Sequence, residues 1–238
     1  MSEPLVSIIS TAIRTQYWLE MYKNVAETNT IPYEFVFVGN VKPTFPLPPN
    51  FFYIYSEAKP QQCLEIACRN AKGKYVMTVQ DDLVLSSGIV NNLYAYMIRM
   101  PSDNALVMAR FSDDLNVMAK DGLQFFIIDN PFSPIIGITT LIKREFWLGL
   151  GGFDQRFNQI YADNDLHLRM YQHGSFPFIV PTCFSQERPH DAYPRLVVKD
   201  HPDRLFLNSL WITPQGVMSK TRLSPVLPYH PNDIPITR

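Results

Sequence analysis

Two pairs of carboxylates stand where the chain leaves regular structure, and they offer the most chemistry. Asp81 and Asp82 directly follow the apolar run 74–79. Adjacent carboxylates repel unless a cation neutralises them. Oxygen ligands of this kind suit Mg2+ or Mn2+, held together with phosphates so that a leaving group is supported. A solvated acidic turn is the plain alternative. Asp163 and Asp165 lie in Tyr161-Ala162-Asp163-Asn164-Asp165-Leu166-His167-Leu168-Arg169. At i and i+2 on a helix they diverge, so they are expected to play different parts. One would be a general base that deprotonates an acceptor hydroxyl, while an N-cap is the structural reading of Asp163. Gly151-Gly152-Phe153-Asp154 is either a helix stop with a turn or a close approach of backbone to ligand. Arg14 could hold a diphosphate or face solvent. His190 could be a third metal ligand or a surface histidine. Trp147, Trp211 and Phe125-Phe126 are assigned to the core.

The elements that must position these groups alternate. Runs 5–10, 34–38, 51–55 and 74–79 are short, apolar and rich in β-branched or aromatic residues, and read as strands, the first two of them buried. Between them, 16–27 places Trp18, Met21, Tyr22 and Val25 on one stripe, and Pro60 opens a helix carrying Leu64, Ala67, Cys68 and Ala71. A third helix presents Ile89, Val90, Leu93, Tyr94, Met97 and Ile98. This order predicts right-handed crossovers and a mostly parallel sheet flanked by helices, with binding beyond the carboxyl ends of its strands. Further on, strands are expected at 106–111 and 135–142, a hairpin at Asp121-Gly122, and helices at 143–150 and 163–173. From Pro181 the chain becomes Pro-rich, with only 205–211 looking ordered. The expected division is a catalytic domain over 1–180 and an irregular extension over 181–238, packed on the same domain or on a partner subunit as a route to a homo-oligomer.

The 238 residues carry 21 basic and 22 acidic side chains, a formal charge of −1, and no basic run, which argues against a nucleic-acid surface. Three cysteines without zinc spacing argue against a disulfide framework. No stretch is long enough to cross a bilayer. Cytoplasmic residence follows, with recruitment to the periphery of a membrane through the tail left open.

These motifs resemble those of family 2-like glycosyltransferases with the GT-A fold. Ala71-Lys72-Gly73-Lys74-Tyr75 through Asp81-Asp82 is similar to an A-x-G-x-Y-hydrophobic-D-x-D region. Gly151-Gly152-Phe153-Asp154-Gln155-Arg156-Phe157 is similar to G-G-F-D-x-x-F, and Asp163 to Arg169 to the E-D-x-D-l-x-x-R helix closed by Gly174. The likeness covers about residues 5–180. It implies a sugar transfer from a nucleotide-diphosphate sugar to a glycan, lipid-linked or protein acceptor hydroxyl, with inversion. By that likeness Asp82 binds Mn2+ or Mg2+, Asp81 lies near ribose or metal, Asp163 is the base, and Asp165 lies on the substrate side. Thr11 and Arg14 hold the nucleotide, and Gly137 lies on the sugar side. The chain departs from the pattern at Thr11–Thr15, at Ala162 and at Gly39-Asn40, where Asn40 stands in for a ribose-binding Asp. Processive Q-x-x-R-W is absent. A catalytically silent GT-A-like binding module is the rival from another class, and a nucleotidyltransferase ranks behind it.

Overall fold

The computed structural model describes residues 3–102, 104–112, 139–175, 177–188, 201–217 and 219–229. Eight strands form one sheet in the order β3-β2-β1-β4-β7-β6-β8-β5. The first four are β1 (Val6–Thr11), β2 (Tyr33–Gly39), β3 (Phe51–Tyr55) and β4 (Tyr75–Thr78), all mutually parallel. The next four are β5 (Leu83–Leu85), β6 (Leu106–Ser112), β7 (Thr140–Lys143) and β8 (Pro177–Glu187). Here β7 runs antiparallel to both β4 and β6, β8 is parallel to β6, and β5 is antiparallel to β8. The sheet is therefore parallel in its first half and mixed in its second.

Period-2 alternation splits the core into two layers. In β2, Phe35 and Phe37 face one side and Val36 and Val38 the other, all fully buried. The first layer takes in α1 (Trp18–Thr28) and α3 (Ile89–Met97) through Trp18, Val25 and Leu93. The second takes in α2 (Pro60–Asn70), α4 (Arg144–Gly149), α5 (Ala162–Gln172) and α6 (Pro202–Trp211). Trp147 and Trp211 are buried there, as expected of core residues.

Local chemistry sets the element ends. Pro60 occupies the first turn of α2, and the Lys59 N–H donates to the Gln62 side chain at 3.1 Å. After α4, Gly151 and Gly152 adopt φ of +87° and +68°, a left-handed stop for which glycine is suited. Gly174, at φ +79°, closes α5.

The tail is not loosely attached. Leu207, Leu210 and Trp211 of α6 sink into the second layer, while Leu205 stays exposed. Asp203 at the start of α6 accepts from the main-chain N–H groups of Asn158, Gln159 and Ile160 at 3.1, 2.7 and 3.0 Å. The boundary expected at 180/181 falls inside β8, whose second half pairs with β5. A short strand at Leu83–Leu85 is too brief to show in the sequence pattern. The expected hairpin at Asp121-Gly122 lies outside the described residues. No helix among them is long and apolar enough to cross a membrane.

Candidate active site

Parallel strands align their carboxyl ends, so β1, β2 and β4 deliver Thr11, Gly39 and the Asp81-Asp82 turn to one edge. The close fit there starts with Gly39. A Cβ on it would stand 1.9 Å from the carbonyl oxygen of Ala12, so only glycine lets the ends of β1 and β2 come together. Asn40 next to it is exposed.

Asp81 is 1% exposed and turned into the loop after β1. Its Oδ2 accepts from the main-chain N–H of Ile13 at 2.6 Å, that of Arg14 at 2.5 Å, and Trp18 Nε1 at 3.2 Å. Its Oδ1 accepts from Arg14 Nη1 at 3.1 Å. Burial pushes the Asp81 carboxyl up from its ordinary value, against the pull of those donors. Asp81 therefore shapes the loop on which Arg14 sits. Asp82, also buried, lies 3.4 Å from the same Arg14 nitrogen. One guanidinium thus spans both carboxylates.

The sequence reading missed a second cation at this edge. Arg188 follows β8, and its N–H donates to the Asp82 carbonyl at 3.3 Å. Its guanidinium packs over the Tyr17 ring at 4.8 Å and pairs with Glu20 at 2.6 Å. No spacing rule links residue 188 to residue 82. The β5–β8 pairing does, by setting Leu83 opposite Glu187.

The loop that leads to Asp163 is tied to this edge through α2. Thr11 Oγ1 at the end of β1 donates to the Pro60 carbonyl at 2.5 Å. The start of α2 then grips the loop before α5, with Lys59 Nζ on Asn158 Oδ1 at 2.8 Å and Gln61 Nε2 on the Gln159 carbonyl at 3.0 Å. That loop ends at Tyr161, the one non-glycine with positive φ among the described residues, at +69°. Such a conformation stores strain that the surroundings must hold. Tyr161 occupies the N-cap position of α5 without a side-chain cap hydrogen bond, and Asp163 lies inside the first turn. The N-cap expectation is thus off by two residues.

Asp163 is half-buried. Desolvation raises its pKa, opposed by the helix-start N–H groups of Asn164 and of Asp163 itself. His167, four residues on and on the same face, is buried and pushed down to about 4 by desolvation, with Arg169 adding to the effect. It brings no positive charge to that face at neutral pH.

The remaining motif residues turn out to be architectural. Asp165 was expected beside substrate. Instead it is 0% exposed and holds Arg169 Nε at 3.0 Å, Trp211 Nε1 at 2.9 Å and Arg222 Nε at 2.8 Å. Its Oδ1 is committed to the tail and its Oδ2 to Arg169. Gly152 faces the protein as well. A Cβ there would stand 2.2 Å from Glu65 Oε1, and the buried Glu65 carboxylate accepts from Phe153 N–H at 3.0 Å and Trp147 Nε1 at 2.9 Å. Arg169 closes the turn by donating to the Leu150 and Gly152 carbonyls at 2.7 and 2.6 Å. The two glycosyltransferase-like motifs therefore brace each other and fix where α5 starts. Gly137 and His190 lie outside the described residues. Among those described, no three His, Cys, Asp or Glu side chains cluster as a metal site would.

No family model matches the sequence, and no curated protein matches it. Solved structures match in fold. S. aureus TarS 1-349 in complex with UDP-GlcNAc has a TM-score of 0.56 at 13% identity, over 79% of this chain and 61% of that one. GalNAc-T7 with UDP, GalNAc and Mn2+ has a TM-score of 0.58 at 11% identity, over 78% of this chain and 44% of that one. This chain spans less than two thirds of either neighbour. What the likeness establishes is the fold, a GT-A-like glycosyltransferase fold.

Proposed function

We propose that this GT-A-fold chain is a glycosyltransferase that moves a sugar from a nucleotide-diphosphate donor to an acceptor hydroxyl, with inversion and with a divalent cation. The observation that supports the reading is the Arg14 guanidinium spanning Asp81 and Asp82 at the carboxyl edge of the parallel strands, an edge to which the loop before α5 is tied through the start of α2. Ligands of such sheets bind at that edge.

The donor set fits Mg2+ or Mn2+. Asp82 offers a hard carboxylate at a strand end, and such cations are content with one or two protein oxygens when phosphates supply the rest. Asp82 would hold the ion, with His190 as a further candidate. Bound there, the ion would offset charge on the departing diphosphate. The chain's own residues do the remainder. The loop after β1, pinned by Asp81, presents the Arg14 guanidinium to phosphate oxygens, with Thr11 and Asn40 at the mouth. Asp163 takes the proton from the acceptor hydroxyl as that oxygen bonds to the anomeric carbon and the carbon–phosphate oxygen bond breaks. Desolvation helps, because a raised pKa makes the carboxylate a better base. Gly152 and Asp165 act by positioning α5. Gly137 remains a candidate for the sugar side.

The test is calorimetry of UDP binding with Mn2+ present. Asp82→Asn should weaken Mn2+-dependent binding by at least the roughly 10–100-fold that losing a supporting contact of a metal ligand costs. Unchanged affinity would remove Asp82 from the metal site. Transfer or hydrolysis of UDP-sugars by the wild type separates an enzyme from a silent nucleotide-binding module of the same fold.

A further inference from the structure

The cation nearest the carboxylate pair belongs to the chain itself. Arg14 Nη1 lies 3.1 Å from Asp81 Oδ1 and 3.4 Å from Asp82 Oδ2. Asp81 does not depend on that contact, since two main-chain N–H groups and Trp18 also donate to it. For Asp82 the guanidinium sits on the carboxylate assigned above to the metal. A positive group so close to a divalent ion costs binding energy in a partly buried site.

Two further features concern the same side chain. Its Nε is buried and has no acceptor among the described residues, a state that buried donors rarely keep. Its main-chain N–H is anchored to Asp81, while the side chain retains 26% exposure. The guanidinium can therefore rotate away without disturbing the loop. Arg188 has no comparable freedom, being held by Glu20 and Tyr17.

We propose that Arg14 is an exchangeable counterion: it holds Asp82 until a diphosphate draws it off, so that donor and metal enter together. This rests on the reading of Asp82 as the metal ligand. Planar, multidentate donors suit phosphate, and the orphaned Nε gains an acceptor in the exchange. Linkage then requires the coupling to be reciprocal, so each ligand tightens the other.

The experiment needs no sugar transfer. Free Mn2+ is followed by electron paramagnetic resonance as it is titrated into the wild type, Arg14→Gln, Arg14→Lys and Asp82→Asn, each with and without UDP. Without UDP, Arg14→Gln should bind Mn2+ about tenfold more tightly than the wild type, the size expected on removing one nearby positive charge. Its gain on adding UDP should shrink by a similar factor. Arg14→Lys keeps the charge and should stay close to the wild type. Asp82→Asn should bind no Mn2+. If Asp82→Asn binds Mn2+ normally, the metal assignment itself is wrong and the exchange falls with it. If Asp82→Asn fails to bind but Arg14→Gln is no tighter than the wild type, or Gln and Lys tighten equally, the exchange alone is overturned. Should Arg14→Gln not fold, a wild-type Mn2+ affinity that is the same with and without UDP would also overturn it.

Discussion

Asp163→Asn is expected to give a folded protein that binds UDP as the wild type does and turns over about 10²–10⁴-fold more slowly, the usual cost of losing a general base. Binding is expected to persist because Arg14 and Asp82 belong to the loops after β1 and β4 and not to α5. Stability is expected to persist because an Asn side-chain oxygen can still accept from the helix-start N–H groups that face Asp163. The folded pKa of Asp163 is raised by desolvation, so its contribution to stability is fully present below the unfolded value and is lost as pH rises through the folded one. Above that raised folded pKa the wild type carries a charge that folding disfavours, and there the Asn variant should melt at the same temperature or higher. That advantage should disappear at a pH below the ordinary aspartate range. The wild-type rate should fall as pH drops through the same raised pKa. Turnover, thermal midpoint and UDP affinity on one variant check all of this. Near-normal turnover would return Asp163 to a helix-start role, and the buried, tail-bound Asp165 could not replace it.

The same residues show what a sequence makes legible. Strand and helix positions were readable because burial on both faces writes an uninterrupted apolar run, as at Phe35–Val38, and even the partly exposed edge strand Phe51–Tyr55 is aromatic and apolar throughout. The edge bearing Asp81 and Asp82 was readable because parallel strands deliver their ends together. The mixed half was not. Antiparallel pairing of β7 with β4 is decided by long-range contacts, and the three residues of β5 carry no period. Motif residues proved harder to sort. Gly152, Asp154, Asp165 and Arg169 look chemical in sequence, yet Gly152 packs against the distant Glu65, Asp154 and Asp165 both accept from the distant Arg222, and Arg169 is spent on Asp165 and the Leu150 and Gly152 carbonyls. Arg188 carried no signal at all, because its place beside Asp82 follows from sheet register alone.

The second large effect concerns that long-range bracing. Arg222, 6% exposed, links the tail to two motifs at once, donating to Asp154 Oδ2 at 2.6 Å and Asp165 Oδ1 at 2.8 Å. Removing one partner of a buried ion pair leaves an uncompensated charge, typically costing about 3–5 kcal/mol. Here Asp154 keeps Arg156, and Asp165 keeps Arg169 and Trp211. The lower end, about 3 kcal/mol, is therefore expected for Arg222→Ala, a fall of roughly 10 °C in midpoint for a chain of this size. Burial alone would raise the Asp154 carboxyl, but Arg156, Arg222 and main-chain donors hold it below its ordinary value. A depressed pKa contributes stability above the unfolded value that is lost as pH falls through the folded one. The gap between Arg222→Ala and the wild type should accordingly narrow in acid, below the ordinary aspartate range. Pairing the change with Asp154→Asn in a double-mutant cycle isolates the interaction, because the second loss should be smaller once the first charge is gone. A midpoint shift of under about 2 °C with no coupling would mean that Leu207, Leu210 and Trp211 hold the tail by apolar contact alone. The ion network would then serve only to fix the register of α5, and with it the position of Asp163.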